Sequence, residues 1–590
     1  MDGGKCVVLL AVNSKYVHSS LAVWLIAAGI ERCVSVPHEV CVIEATIHQP
    51  CCEIADNVAA HKPDIIGISA YIWNARMLPD LLKRLRELLP DARIVLGGPE
   101  AEHNADYWLG QGADCVLPGA GETAFPAFLM QMAQGETPGE TPGEAQGETP
   151  GEAQGETPGD MPGEAQGETQ AGTQAQAQGK TCNEARGNRQ AEAQGKTQKD
   201  EQEGTQCNSI FCGEAYYASL KGRIAYLETS RGCPFSCAYC LSGGTGVEYF
   251  PMETVKAQIR RLSDAQTKTI KLTDRTFNCN AARAYEILDF IISLDTNACF
   301  HFEAAADLFD ERTLSLLAAA PPGRIQIEAG LQSFFEPALG AVSRKSDLEK
   351  AERNIKALRK NRNIHIHLDL IAGLPYETLA DFTVSFDRAY ALHAHTLQLG
   401  FLKLLHGSAL RGDAESLGIV FAKQAPYEII SSPWLTTQDI QTLKHTENAI
   451  QNTFNKGRFM QTLDYVLAAS RLRPFTFYNA LGEAAPHKTT PLPDYAALIF
   501  DFCAALPNTE LNMLKDTMTY DWLAMVKGKN KPACFATHDD RNKDLIKYAQ
   551  QRLGHEVRRE EVSILSTGTL LYVDSSDRDP VTGRYRVYEA

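Results

Sequence analysis

The rhythm of apolar and polar positions changes several times along the 590 residues and divides the chain. Residues 5–12 form a short, nearly continuous apolar run, and a helical spacing extends from Ser19 to about Cys33. The pair then repeats: strand at 39–44 and helix at 51–61, strand at 64–69 and helix at 75–89, strand at 93–96 and short helix at 106–111. A strand at 115–117 and a helix from about Thr123 complete the series. Strands without polar alternation are buried on both faces, and amphipathic helices between them imply a parallel sheet. Residues 1–131 therefore predict an α/β, flavodoxin-like doubly wound domain, whose ligand crevice lies at the strand carboxyl ends. Asn13, Ser69, Tyr71, Gly97, Gly98, Gly119, Gly121 and Glu122 stand at those ends, and glycines there let a large ligand approach the backbone.

The rhythm stops near residue 132. Residues 135–170 are a tetrapeptide array of GETP, GEAQ and related units, and a Gln-, Gly-, Ala-, Lys- and Thr-rich stretch continues to about Gln206. So little there is apolar that burial cannot offset ordering entropy, so 132–210 is expected to be a disordered low-complexity insert. The βα rhythm then resumes, with strands expected at 225–228, 269–272, 299–303, 324–328, 365–371 and 396–402. Six such units over 211–413 predict an incomplete TIM-like (β/α)6 barrel with its site at the strand carboxyl ends. From 414 to 590 the chain reads as mainly helical and aromatic, ending in strands near 562–573. Its Trp434, Trp522, Tyr465 and Tyr478 read as core rather than a substrate platform, and His445 and His487 have no ligand spacing.

Composition narrows the function. A formal net charge of -16 argues against a nucleic-acid groove as the main feature. No apolar run approaches the ~20 residues of a membrane span, and the start has no signal-peptide h-region. Sixteen cysteines without a disulfide framework fit a reducing, cytoplasmic setting.

Three of those cysteines carry chemistry. Cys233, Cys237 and Cys240 are spaced C-x3-C-x2-C in the run RGCPFSCAYC. Three thiolates so close can cap three irons of a [4Fe–4S] cluster and leave the fourth open to a substrate, whereas an electron-transfer cluster takes four cysteines. A structural zinc site is the other reading, but no second Cys or His pair stands downstream at zinc-finger spacing.

This spacing, with the aromatic Tyr239 before the third cysteine, resembles the radical S-adenosylmethionine (SAM) superfamily. Residues 299–375, with FHFEA, EAGLQSF and DLIAGLP in that order, resemble the branch related to oxygen-independent coproporphyrinogen oxidase. The resemblance implies that Glu303 in FHFEA binds the methionyl amine of SAM and that Gln332 in EAGLQSF binds ribose. It also implies that Arg344, twelve residues later, meets the carboxylate, that Asp369 in DLIAGLP binds ribose, and that Tyr239 holds adenine through its backbone. The usual Gly-Gly-Glu stretch is replaced by LTDRTFN, which leaves Asp274 or Arg275 to take part of its role; Glu328 could touch substrate, or the SAM amine, or be a plain strand-end carboxylate.

The first domain is similar to the cobalamin-binding domain that precedes many radical SAM barrels, through AVNSKYVHSSLA, PDIIGISAYIWN, IVLGGPEAE and DCVLPGAGETAF. The D-x-H-x-x-G motif that brings a histidine to cobalt is absent; His18 and His48 are the candidate substitutes. Residues 414–590 resemble the C-terminal extension of one subgroup of these proteins. The resemblance implies a [4Fe–4S] cluster, SAM and cobalamin as cofactors. It implies an electron donor such as flavodoxin or ferredoxin, and a small-molecule or macromolecular substrate. The activity implied is cleavage of SAM to a 5′-deoxyadenosyl radical and methylation of an unactivated carbon. A non-methylating cyclisation or rearrangement is the alternative, and a cluster- or cobalamin-based sensor is a further one.

Overall fold

The computed structural model describes residues 5–35, 38–134, 211–485, 490–528, 530–536 and 543–590. The expected insert at 132–210 lies almost wholly outside the described residues, as does His487.

The first domain is a five-stranded sheet of β1 (Lys5–Asn13), β2 (His38–Thr46), β3 (Ile65–Ser69), β4 (Arg93–Gly97) and β5 (Cys115–Leu117). All neighbours are parallel and the order is β2-β1-β3-β4-β5. Alternation along β1 serves two cores at once. Val7, Leu9 and Ala11 pack with Phe125, Phe128 and Leu129 on one face, and Val8, Leu10 and Val12 pack with Ile54, Val58 and Leu82 on the other. That double burial is why β1 reads as an unbroken apolar run. The order reverses between β1 and β3, where a doubly wound sheet places its crevice.

The second sheet holds β6 (Ile224–Leu227), β7 (Thr269–Leu272), β8 (Cys299–Glu303), β9 (Ile325–Gln332), β10 (His365–Ala372) and β11 (Thr396–Phe401). Their order is β11-β10-β9-β8-β7-β6, all parallel, and β6 and β11 remain as edges of a partial barrel. β10 shows how sequence sets the faces: Ile366, Leu368, Leu370 and Ala372 are fully buried, while His365, His367 and Asp369 alternate with them on the barrel's inner side. β9 runs to Gln332, four residues past the expected end at Glu328. A register shift between Gly330 and Gln332 accompanies that extension.

The C-terminal region is helical, as the periodicity predicts, and ends in an antiparallel sheet of Val562–Ile564, Leu570–Arg578 and Tyr585–Glu589. Its core is continuous with that of the barrel. Trp522 and Tyr478 are fully buried, Tyr465 accepts from Glu510 N at 2.7 Å, and Trp434 packs against Tyr376. Trp522 and Tyr478 are thus core, and Tyr465 packs against that core, whereas Trp434 is partly buried beside the exposed Tyr376. Among the described residues no helix is long and apolar enough to cross a membrane.

The N-terminal domain seats its strand ends against the barrel. Arg223 Nη2 meets Glu44 Oε2 at 2.7 Å with both side chains largely buried. Ser19 Oγ donates to Ile224 O at 2.9 Å, and His18 forms a parallel bridge with Ile224 at the edge of β6. Arg231 pairs with Glu122, and Tyr427 donates to Glu100.

Candidate active site

The cysteine loop comes directly after β6. A short hairpin, Ser230–Cys233 with Gly246–Tyr249, delivers it. Asp274 anchors this hairpin from below, accepting from Thr229 Oγ1 at 2.6 Å, Ser230 Oγ at 2.5 Å and Thr229 N at 3.2 Å. That corrects one expectation: Asp274 is 2 % exposed and committed to the hairpin, whereas Arg275 beside it lines the cleft. Cys233 and Cys237 are buried, Cys240 is partly exposed, and all three are free thiols. Ser242 N donates to Cys240 Sγ at 3.4 Å, and Cys233 Sγ lies 3.6 Å from Thr276 Oγ1.

Cys237 forms one end of a cleft of about 130 Å³ whose wall also includes Glu303, Gln332, Arg344 and Asp369. The carboxyl ends of β8, β9 and β10, together with the segment after β9, thus bring together the residues that the sequence singled out separately. Tyr239 stands behind them, its hydroxyl 3.5 Å from Arg344 Nη1, which also lies 3.8 Å from Cys237 Sγ. Arg344 Nη2 donates to Gly330 O.

Backbone geometry at Gln332 has a local cause. Gln332 sits at φ +67°, unusual for a residue with a side chain. Its amide fills the space over Gly330, where an added Cβ would stand 2.1 Å from Gln332 Nε2. The next residue is pinned: Ser333 Oγ donates to Glu377 Oε1 at 2.5 Å, and Ser385 Oγ lies within 3.3 Å of the same pair. Glu377 is completely buried and pushed up to about 7 by burial, against the pull of the two hydroxyls.

Glu328 and Asp369, both in the cleft wall, are tied into a polar network whose other members, His301, His367 and Lys271, sequence reasoning missed. Glu328 Oε2 is 2.8 Å from His301 Nε2, 3.6 Å from His367 Nδ1 and 3.7 Å from Lys271 Nζ. His367 Nε2 lies 2.6 Å from Asp369 Oδ1. Burial raises Glu303 to about 7, with the Glu328 carboxylate adding to the effect. Burial also opposes ionisation of Glu328, but the His301 contact, His367 and Lys271 outweigh it and hold that carboxyl low. Asp369 is raised by burial against the pull of His367, and His367 is raised because Asp369 outweighs its burial. The signal was present as alternating His365, His367 and Asp369: polar residues at period two in a parallel strand must face a polar interior.

The N-terminal residues present a mixed picture. Asn13 and Ser69 are buried; Asn13 Nδ2 donates to His18 O at 3.2 Å. Tyr71 stacks on Trp73 with centroids 4.3 Å apart. Two glycines expected to admit a ligand are explained by protein packing instead. A Cβ at Gly98 would lie 2.7 Å from Ala70 O, with φ at +98°, and one at Gly121 would lie 2.8 Å from Ile26. Gly97 and Gly119 have room, and Glu122 is buried in its pair with Arg231. His18 turns to the barrel, its Nδ1 2.6 Å from Tyr226 Oη, and His48 is exposed.

The residues of the cleft fit a cluster and SAM. The cysteine loop offers three free thiols. Arg344 Nε is buried with no hydrogen-bond partner among the described residues, a donor that a carboxylate in the cleft would satisfy.

Sequence profiles agree with this architecture. One described as B12 binding domain matches residues 7–129, one described as Radical SAM superfamily matches 227–389, and one described as Protein of unknown function (DUF4080) matches 415–566. The chain is thus a radical SAM protein with an N-terminal B12-binding domain. Curated relatives share part of it. The tRNA-2-methylthio-N(6)-dimethylallyladenosine synthase of Burkholderia thailandensis is 27% identical over 179 residues, 28% of this chain and 39% of the relative. The ribosomal protein uS12 methylthiotransferase RimO of Myxococcus xanthus is 22% identical over 175 residues, 28% of this chain and 36% of the relative. The chain therefore spans well under half the length of these relatives. Among solved structures, the radical SAM methyltransferase TsrM from Kitasatospora setae, with tryptophan and a SAM analog bound, is similar at TM-score 0.52. It is 16% identical, with 72% of this chain and 80% of that chain covered. The apo form of the cobalamin-dependent SAM radical enzyme OxsB is similar at TM-score 0.55 and 12% identity, covering 88% and 78%. At such identities the likeness is one of fold.

Proposed function

We propose that the chain is a cytoplasmic cobalamin-dependent radical SAM enzyme that methylates an unactivated carbon of its substrate, with electrons from a flavodoxin or ferredoxin. The observation that carries this reading is the convergence of Cys237, Glu303, Gln332, Arg344 and Asp369 on one cleft. The N-terminal strand ends face the same barrel through Glu122–Arg231 and Glu44–Arg223, and Tyr427 of the C-terminal region reaches Glu100. Cys233, Cys237 and Cys240 would hold the [4Fe–4S] cluster. Bound together, cluster, SAM and cobalamin supply one-electron cleavage of SAM to a 5′-deoxyadenosyl radical, and a transferable methyl group. The chain's own residues orient and exclude. Glu303 takes the amine of SAM, Arg344 its carboxylate, and Gln332 and Asp369 its ribose. The barrel walls keep water from the reacting carbon.

The test is anaerobic reconstitution with iron and sulfide, then addition of SAM and dithionite. 5′-Deoxyadenosine should form with the wild type and not with Cys240→Ala. A wild type that binds a cluster yet forms none would reject the reading. Metabolites of a strain lacking the gene should include a precursor lighter by one methylene than its wild-type counterpart; a different mass change would favour cyclisation or rearrangement.

A further inference from the structure

The free edge of β11 is stopped at two points and open between them. Residues of a strand alternate in direction. Gln398 and Gly400 turn to β10, in register with Asp369 and Ile371. Leu397 points the other way: its N–H donates to Asn455 Oδ1 at 2.8 Å, and its carbonyl accepts from Asn455 Nδ2 at 2.9 Å. One amide side chain thus occupies the place of a neighbouring strand. Past the strand, Ile429 N donates to Leu402 O at 2.9 Å and Leu404 N to Tyr427 O at 3.0 Å, so residues 427–429 cover the edge there. Leu399 and Phe401 lie between these stops. By alternation their N–H and C=O point outward like those of Leu397, and among the described residues no group outside the sheet is bonded to them.

These backbone groups open on a cavity of about 530 Å³, whose far wall is one face of the helix Thr437–Asn452. Its charges are half used. Lys444 Nζ and Glu428 Oε1 pair at 2.8 Å. Lys403 and Glu447 also line the cavity, and neither has an ion-pair partner among the described residues. Burial raises the Glu447 carboxyl, the Glu428 charge adds to it, and Lys444, already paired with Glu428, offsets only part of this. Asn448 Nδ2, on the same wall, is buried with no acceptor among the described residues. An unfilled edge ladder, one spare charge of each sign and one orphaned amide donor surround the same space.

We propose that this cavity binds a zwitterion of amino-acid or dipeptide size, whose amide or ammonium N–H and carboxylate or carbonyl complete the ladder at Leu399. Its ammonium meets Glu447, its carboxylate meets Lys403, and an acceptor on it takes the Asn448 donor. The strand that lines this cavity neighbours the one that carries Asp369: Gln398, next to Leu399, is in register with Asp369, one strand spacing of about 5 Å away. Calling the occupant the substrate rests on the function proposed above; the binding itself does not.

Saturation-transfer NMR on the full chain, without SAM, iron or reductant, tests the site alone. The probes are the twenty common amino acids, their glycyl dipeptides, and the N-acetyl and C-amide derivatives of any that bind. Expected is a saturable signal from at least one zwitterion, lost on N-acetylation and weakened at least tenfold by both Lys403→Ala and Glu447→Gln, with unchanged circular dichroism. Any lesser result, including no saturable signal or one that survives either substitution, overturns the proposal. Binding without 5′-deoxyadenosine formation would keep the site and reject the enzyme reading; the converse would do the reverse.

Discussion

Replacing Gly330 by Ala would test the SAM cradle through a residue that touches nothing in SAM by its own side chain. The new methyl would lie 2.1 Å from Gln332 Nε2, while Arg344 Nη2 is at 3.9 Å. The far end of Gln332 must therefore move, and little else need do so. If Gln332 donates one neutral hydrogen bond to ribose, its loss is worth about 0.5–1.5 kcal/mol, or roughly two- to twelvefold in affinity. Isothermal titration of the anaerobically reconstituted protein should show SAM binding weakened by about fivefold, within that range, with iron content unchanged. Gln332→Ala should match it, and the double variant should be no worse than Gln332→Ala alone, because both remove one interaction. Wild-type affinity in Gly330→Ala would refute the placement of Gln332 at SAM. A double variant much weaker than either single would show that Gly330 acts through Arg344 instead.

Replacing Cys233, Cys237 or Cys240 by Ala should remove the cluster's visible absorption and SAM cleavage, and unchanged iron content in all three would reject the ligand set. Because burial and Glu328 raise Glu303 to about 7, its carboxylate is complete only above that pH; SAM affinity should fall as pH drops through 7 and stay flat in Glu303→Gln, as titration calorimetry across pH would show. Cobalamin bound at the domain junction should lack a histidine ligand on cobalt, because the D-x-H-x-x-G motif is absent and His18 is held to Tyr226; nitrogen superhyperfine splitting in the electron paramagnetic resonance of the cobalt(II) form would contradict this.

The two parallel sheets were legible because their strands are buried on both faces, and period and burial coincide: Val7 to Val12 alternate between two cores and read as one apolar run. The cleft residues were legible through motif spacing, and the strand ends brought Glu303, Gln332 and Asp369 together. Asp274 shows the limit. A carboxylate two residues past a strand looks the same in sequence whether it faces the cleft or ties a hairpin, and only the positions of Thr229 and Ser230 decide. Glycines mislead in a similar way: Gly98 and Gly121 clear Ala70 and Ile26, contacts made across the fold that no local pattern encodes. The Asn455 stop on β11 lay beyond reach because it joins residues 58 apart through a side chain whose type gives no hint of it.

The bridge between His18 and Ile224 makes the first domain part of the barrel's edge. Ile224 begins the strand that ends just before the cysteine loop, so the N-terminal domain holds the near end of the lever on whose far end the thiols sit. A rotation that opens the crevice at β1 and β3 must either break the largely buried Arg223–Glu44 pair, at a cost of several kcal/mol, or drag β6 with it. A ligand that parts the two domains would therefore pull on the strand that leads into the iron-binding loop, through the same bridge and ion pair that join them.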